Sequence, residues 1–96
     1  MSSTDPLILI DKASTTQFSM SIFTPLNEVA EYYAYSSTNA NEDQQTIKAN
    51  GTSIAISVTR NQVKEFKDVS FAASGYLHIL VEDIQGGVSD DAFQII

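Results

Sequence analysis

Residues 75–96 read GYLHILVEDIQGGVSDDAFQII. Aliphatic side chains occupy every second position from 77 to 81, the Gly86-Gly87 pair interrupts the pattern, and apolar residues at every second position resume in 93–95. A period of two is typical of a strand with one face in a core, and a glycine pair between two such runs is typical of a hairpin turn. These residues therefore predict two antiparallel strands at the C-terminal end and an all-β fold.

Five more segments upstream carry strand signals, which brings the number of candidate strands to seven. The segments are 7–11, 17–23, 29–36, 46–48 and 53–60. The clearest is 17–23, in which phenylalanine, methionine and isoleucine alternate with serine. Asn50-Gly51 is interpreted as the tight turn that leads into 53–60. Seven short strands in 96 residues predict one antiparallel immunoglobulin-like β-sandwich, with 1–96 as a single domain.

Three other segments are harder to assign. Residues 26–35 also match the apolar spacing of a helix, so a helix there stays open as an alternative to the third strand. Residues 36–45 contain a single apolar residue and are predicted to form a solvated loop. In 61–74, Val63 and Phe66 have helical spacing whereas the later apolar residues have strand spacing, and we expect a connector across one end of the sandwich.

Composition and charge exclude several classes of protein. A hydrophobic content of 43% supports a core, and the chain has no cysteine for a disulfide or a thiolate metal site. Twelve acidic and five basic residues give a net charge of -7, and the cations form no run, so we expect no binding to nucleic acid. The apolar run 7–10 is too short for a membrane span and lacks the basic leader of a signal peptide. We therefore expect no membrane insertion.

The C-terminal stretch resembles the closing hairpin of PKD-like and related bacterial immunoglobulin-like or fibronectin type III-like domains. The shared features are the opening Gly75-Tyr76, the alternating aliphatic residues, Asp83 before the glycine turn, Ser89, and the apolar residues Phe93 and Ile95. The rest of the chain has no equivalent of the Trp-Asp-Phe-Gly-Asp-Gly segment of PKD domains. The resemblance implies a spacer, adhesive or assembly module of surface proteins, secreted enzymes or phage virions.

Side chains suited to catalysis are scarce. His78 is the only histidine, and we interpret it as a surface or half-buried strand residue. A serine hydrolase would also need an activated serine, and the chain has no Gly-x-Ser-x-Gly elbow. We therefore expect no enzymatic activity and no required cofactor.

Four carboxylates follow one another closely at the turn end of the last hairpin: Glu82, Asp83, Asp90 and Asp91. Calcium prefers oxygen ligands, so these residues are a candidate calcium site. Their spacing is not that of an EF-hand loop, and Asp90 and Asp91 point in opposite directions if both lie in a strand. The alternative is a solvated hairpin tip whose charges discourage pairing between sheet edges.

Tyr32, Tyr33 and Tyr35 have two interpretations. Aromatic rings beside a polar loop could stack on sugars, which would make 32–45 a carbohydrate-binding region. Alternatively, the rings pack in the core or in an interface and keep their hydroxyls hydrated. The chain has no tryptophan, which favours packing.

Two classes of function follow from these observations. The first is a non-enzymatic structural, adhesion or assembly module that acts through protein–protein contacts or self-association, as a spacer domain of a surface protein or as a subunit of a virion or filament. Its candidate assembly edge is Leu7, Ile8, Leu9 and Ile10, because an apolar edge strand favours pairing with another chain. The second is a carbohydrate- or calcium-binding β-sandwich module. For both we expect an extracellular, cell-surface or virion location.

Overall fold

The computed structural model describes residues 5–95. Within them lie seven strands and one helix: β1 (Leu7–Ala13), β2 (Gln17–Thr24), β3 (Val29–Ser37), α1 (Gln44–Asn50), β4 (Thr52–Val58), β5 (Gln62–Ser70), β6 (Tyr76–Asp83) and β7 (Val88–Gln94). The strands form two antiparallel sheets, one in the order β1-β2-β5 and the other in the order β4-β3-β6-β7. The predicted all-β sandwich of seven strands is confirmed. In immunoglobulin-type sandwiches the first two strands likewise share one sheet, and the third strand shares the other with the last two. Here β4 is added to that second sheet, beside β3.

The core lies between the inner faces of the two sheets. Its fully buried side chains come mainly from β2, β3 and β6: Phe18, Met20, Ile22, Tyr32, Leu77, Ile79 and Val81. The rings of Phe18 and Tyr32 meet edge to face, with their centroids 6.3 Å apart. Burial of each such side chain stabilises the fold by about 1.5–3 kcal/mol relative to its exposure. The period of two in these strands therefore determines which face of each strand is buried.

The C-terminal hairpin has the predicted form. β6 and β7 pair in register from Tyr76 opposite Gln94 to Glu82 opposite Val88. Gly86 has a φ of 90° in the turn, a conformation that glycine adopts without steric cost.

β5 contains a bulge that hid this strand in the sequence. Lys67 and Asp68 together lie opposite the single residue Ser19 of β2, and the Asp68 N–H donates to Ser19 Oγ over 3.0 Å. The extra residue shifts the inward positions, so that Phe66 and Val69 both pack on the core although they are three residues apart. The expected connector is wrong, because nine residues of this segment form a strand.

β3 contains a similar bulge. This segment is a strand, as predicted, and the alternative helix over 26–35 is not formed. Ala30 is the extra residue, and it places Val29 and Tyr32 on the inward face although they are three residues apart.

A helix forms where a short strand was predicted at 46–48. Asp43 caps its N-terminus, because Asp43 Oδ1 accepts a hydrogen bond of 2.7 Å from a backbone N–H of the first turn. Ile47 is fully buried against Tyr33 and Leu80 on the outer side of the four-stranded sheet. The strand prediction is wrong because this seven-residue helix has a single buried side chain, which leaves no helical period in the sequence. Such a short helix is stabilised by packing rather than by its own residues.

The interpretation of Asn50-Gly51 as a hairpin turn is also wrong. Gly51 ends α1, and its N–H donates to the Ile47 carbonyl oxygen over 2.8 Å. A Cβ at Gly51 would lie 2.5 Å from that oxygen and 3.0 Å from the Ala34 carbonyl oxygen. Glycine is therefore required because the end of the helix passes close to the backbone of β3.

Candidate functional site

Two of the four carboxylates predicted to bind calcium hold α1 against the four-stranded sheet. Lys48 Nζ lies 2.9 Å from Glu82 Oε1, and this contact raises the pKa of Lys48. Gln44 Nε2 donates to Asp90 Oδ1 over 2.8 Å. Glu82 and Asp90 thus both contact side chains of the helix.

The other two carboxylates bind backbone groups. Asp83 Oδ1 accepts hydrogen bonds of 2.8 Å from the N–H groups of Gln85 and Gly87, which fixes the hairpin turn. Asp91 Oδ2 accepts a hydrogen bond of 2.8 Å from the Ile10 N–H, which links β7 to β1 of the opposite sheet. The structure thus gives the four carboxylates separate contacts. In residues 5–95 no group of three or more acidic, histidine or cysteine side chains is arranged to hold a metal ion.

The three predicted ligand-binding tyrosines point to two different faces of β3. Tyr32 lies in the core, where burial raises its pKa. The Tyr33 hydroxyl donates to Glu31 Oε1 over 2.8 Å, and this bond raises the pKa of Tyr33 and lowers that of Glu31. Tyr35 is half-buried, and its ring centroid lies 6.2 Å from that of His78. All three rings pack against their own chain, Tyr32 on the inner face of β3 and Tyr33 and Tyr35 on the outer face.

His78 is buried, with 1% of its surface exposed, so the interpretation as a surface or half-buried residue is wrong. Its Nε2 lies 2.9 Å from the Asn39 carbonyl oxygen, in the loop 38–43. That loop is shorter than the predicted 36–45, because residues at both ends join β3 and α1. The alternation in β6 correctly placed His78 on the outer face of the sheet, but it could not show that this face is covered.

The predicted assembly edge lies in β1, at one side of the three-stranded sheet. Ile8 and Ile10 pack on the core, whereas Leu7 is 44% and Leu9 is 59% exposed. β7 packs beside β1, and the Ile10 N–H is bound to Asp91. Part of the edge is therefore occupied within the same chain, and the exposed apolar surface of β1 belongs to the outer face of the sheet.

Apolar side chains continue across this outer face. Because Ile22 points into the core, Phe23 points outward, and its register partners are Leu7 of β1 and Val63 of β5. Val63 is 67% exposed. We call the outer side of the three-stranded sheet the open face, and its apolar part consists of these three residues and Leu9. Val63 was not among the predicted site residues, because only the recognition of β5 as a strand would have placed it beside Phe23.

The other end of the open face is concave and charged. A depression of about 230 Å³ is lined by Asp11, Lys12, Ser19, Glu65, Lys67 and Asp68. The bulges of β1 and β5 both lie here. The Ser21 hydroxyl donates to Asp11 Oδ2 over 3.4 Å. The open face thus combines a row of apolar side chains with charges of both signs, which are the two components of a protein contact surface.

The open face is the candidate functional site of this chain. Residues 5–95 contain no helix that is both long enough and apolar enough to cross a membrane. Comparisons with known proteins give no match to any family model, curated protein or solved structure.

Proposed function

We propose that this chain is a non-enzymatic structural, adhesion or assembly module that acts through protein–protein contacts. The single observation that carries the proposal is the apolar row of the open face. Leu7, Phe23 and Val63 are neighbours across three strands, and two of them expose 44% and 67% of their surface. Isolated exposed apolar residues are common, but contiguous ones mark contact sites.

The rest of the chain supports a rigid scaffold behind this face. The inward side chains of β2, Phe18, Met20 and Ile22, are fully buried, so the strand that carries Phe23 is fixed from behind. A contact face on a rigid strand loses little conformational entropy on binding. In this proposal the module is a spacer of a surface protein or a subunit of a virion or filament.

A photo-reactive amino acid at position 9 tests the proposal in cells that naturally produce the chain. Leu9 is exposed on the open face, and we expect irradiation to give covalent adducts with protein. The matched control is the same amino acid at position 49, since Ala49 is exposed on α1, on the other side of the sandwich. Adducts from position 9 alone would support the proposal. No adduct from position 9, or equal adducts from both positions, would contradict it.

A further inference from the structure

We propose that the open face binds a second copy of this chain and forms a weak two-fold dimer, in which β2 of one copy lies over β2 of the other. The inference rests on the proposed function and names its partner and its geometry. Three observations support it. The three-stranded sheet has balanced charge, its two outer strands flank β2 symmetrically, and its edges are less suited to a partner than its face.

The three-stranded sheet carries balanced charge in a strongly acidic chain. The charged residues of β1, β2 and β5 are three acids and three cations: Asp11, Glu65, Asp68, Lys12, Lys64 and Lys67. The rest of the chain therefore has nine acids against two cations, Lys48 and Arg60, and carries the whole net charge of -7. Two copies repel each other when they approach through any acidic side. Lys64 points towards the opposite sheet, so the open face itself carries three acids and two cations, and it is the side through which a second copy meets the smallest excess of like charge.

The edges of the three-stranded sheet are less suited to a partner than its face. β1 contacts β7, and its Ile10 N–H is bound to Asp91. β5 has a bulge, and the Nζ of Lys64 reaches across to the Ser57 carbonyl oxygen at 3.4 Å. Bulges and inward-reaching charges discourage strand addition at an edge. We therefore expect contact through the face.

A two-fold axis along β2 makes the open face complementary to itself. The axis runs parallel to β2, between the two open faces. Because β1 and β5 flank β2 on opposite sides, the axis places β1 of one copy over β5 of the other, and residues that are register partners of the same β2 residue come to lie over one another. Leu7 then lies over Val63, and Phe23 lies beside Phe23 of the second copy. Dimers of this symmetry are by far the commonest oligomers.

The same axis pairs the charges at the concave end. Asp11 and Lys12 lie on β1, and Lys67 and Asp68 lie on β5. In the dimer Asp11 faces Lys67 and Lys12 faces Asp68, twice by symmetry. Four contacts between opposite charges result, which favours the two-fold arrangement over a contact between an open face and an acidic side.

The size of the face predicts weak association. Three strands about 4.8 Å apart and about 25 Å long offer on the order of 350 Å² on each copy, less than half of the ~800 Å² per partner of a standard stable interface. We therefore expect a monomer in dilute solution and a dimer when the protein is concentrated.

Sedimentation velocity over about a hundredfold range of concentration tests the dimer. We expect the sedimentation coefficient of the wild-type chain to rise towards that of a dimer, and the rise to be lost in Val63→Lys and Leu7→Lys. Ile84→Lys is the matched control, because the exposure of Ile84 lies between those of Leu7 and Val63, Ile84 lies in the β6–β7 turn, and the substitution gives the same change of charge. It should dimerise like the wild type. Circular dichroism checks that all variants are folded.

A mixing experiment tests the two-fold arrangement itself. Asp11→Lys and Lys67→Glu each place like charges opposite one another in a homodimer, so each variant alone should stay monomeric. In a mixed dimer every such contact joins opposite charges, and an equimolar mixture should dimerise. A mixture that stays monomeric would overturn this geometry, and so would growth of the wild-type assembly beyond a dimer.

The dimer and the proposed function fail in distinguishable ways. A wild-type chain that stays monomeric at all concentrations, while position 9 still cross-links to a different protein in cells, overturns the dimer and leaves the proposed function. Equal loss of dimerisation in Val63→Lys and Ile84→Lys also overturns the dimer through the open face. The absence of both self-association and adducts overturns both.

Discussion

The two sheets of this sandwich differ in what lies on their outer faces. On the four-stranded sheet, α1 and the preceding loop cover Tyr33, His78 and Leu80, and Ile47 is fully buried between helix and sheet. On the three-stranded sheet, Leu9 and Val63 are more than half exposed. The chain thus supplies its own cover for one apolar outer face and leaves the other exposed, and our proposal is that a partner covers it.

The cover of the four-stranded sheet depends on one apolar side chain and several polar contacts. Ile47 supplies the buried surface, while Lys48 binds Glu82 and Gln44 binds Asp90. Exposed ion pairs contribute little to stability, so most of the stabilisation comes from Ile47. Substitutions in the cover should therefore lower the free energy of unfolding by unequal amounts. Truncation of an exposed side chain on the open face should hardly change it.

The largest effect is expected for Ile47→Ala. Removal of a fully buried isoleucine leaves a cavity between α1 and the sheet, and we expect the free energy of unfolding to fall by about 2–5 kcal/mol. Urea denaturation followed by circular dichroism measures it. Val63→Ala is the matched control and should change the free energy by less than about 0.5 kcal/mol. Equal effects of the two substitutions would show that α1 does not cover the sheet.

Gly51→Ala should have the next largest effect. The added Cβ would lie 2.5 Å from the Ile47 carbonyl oxygen of α1 and 3.0 Å from the Ala34 carbonyl oxygen of β3, so the end of the helix must shift relative to both. We expect a loss of about 1–3 kcal/mol in the same assay. An unchanged unfolding midpoint would mean that the helix end does not pass close to β3.

Asp91→Ala tests the link between the two sheets beside β1. The substitution removes the acceptor of the Ile10 N–H, and we expect a loss of about 1–2 kcal/mol with faster hydrogen exchange at that amide. Asp90→Ala is the neighbouring control, because the Asp90 carboxylate accepts a hydrogen bond from Gln44 of α1 and not from the Ile10 N–H. Faster exchange of the Ile10 amide in both variants would argue against a specific bond.

The smallest effect is expected at the N-cap of α1 and should depend on pH. The hydrogen bond from the Thr46 N–H holds the pKa of Asp43 below its usual value. Its stabilising effect is therefore present above the pKa of the unfolded chain and is lost as the pH falls through the lower pKa of the folded chain. Asp43→Ala should lower the urea concentration at the midpoint of unfolding at neutral pH. The difference between the midpoints of this variant and the wild type should shrink in acid. Asp43→Asn, which still caps but does not titrate there, should differ little from the wild type at neutral pH. A gap between Asp43→Ala and the wild type that stays constant into acid would contradict this interpretation.

Regular alternation allowed most of the fold to be predicted from the sequence. The inward residues of β2 and β6 follow a period of two, and both strands lie where they were predicted. The C-terminal hairpin was predicted from the same pattern together with its glycine turn. These segments form the centre of the core, where burial leaves the clearest pattern.

The errors occurred where a local feature changed the pattern. In β5 the outward Val63 and the inward Phe66 happened to have helical spacing, and the bulge at Lys67 and Asp68 then shifted the inward positions. The helix α1 has too few buried residues to show a period. The contacts of the candidate site were less predictable still. The bond between Asp91 and Ile10 joins residues 81 positions apart, and its existence depends on how the two sheets meet.

The most direct test of the central claim is the concentration dependence of the amide NMR spectrum of the wild-type chain. If α1 covers one outer face and the other binds a second copy, amide shifts should change with concentration in β1, β2 and β5, with the largest changes near Leu9, Phe23 and Val63. The amides of Ile47 and Leu80 should not shift. Changes centred on α1, or a spectrum that is the same at every concentration, would contradict the claim.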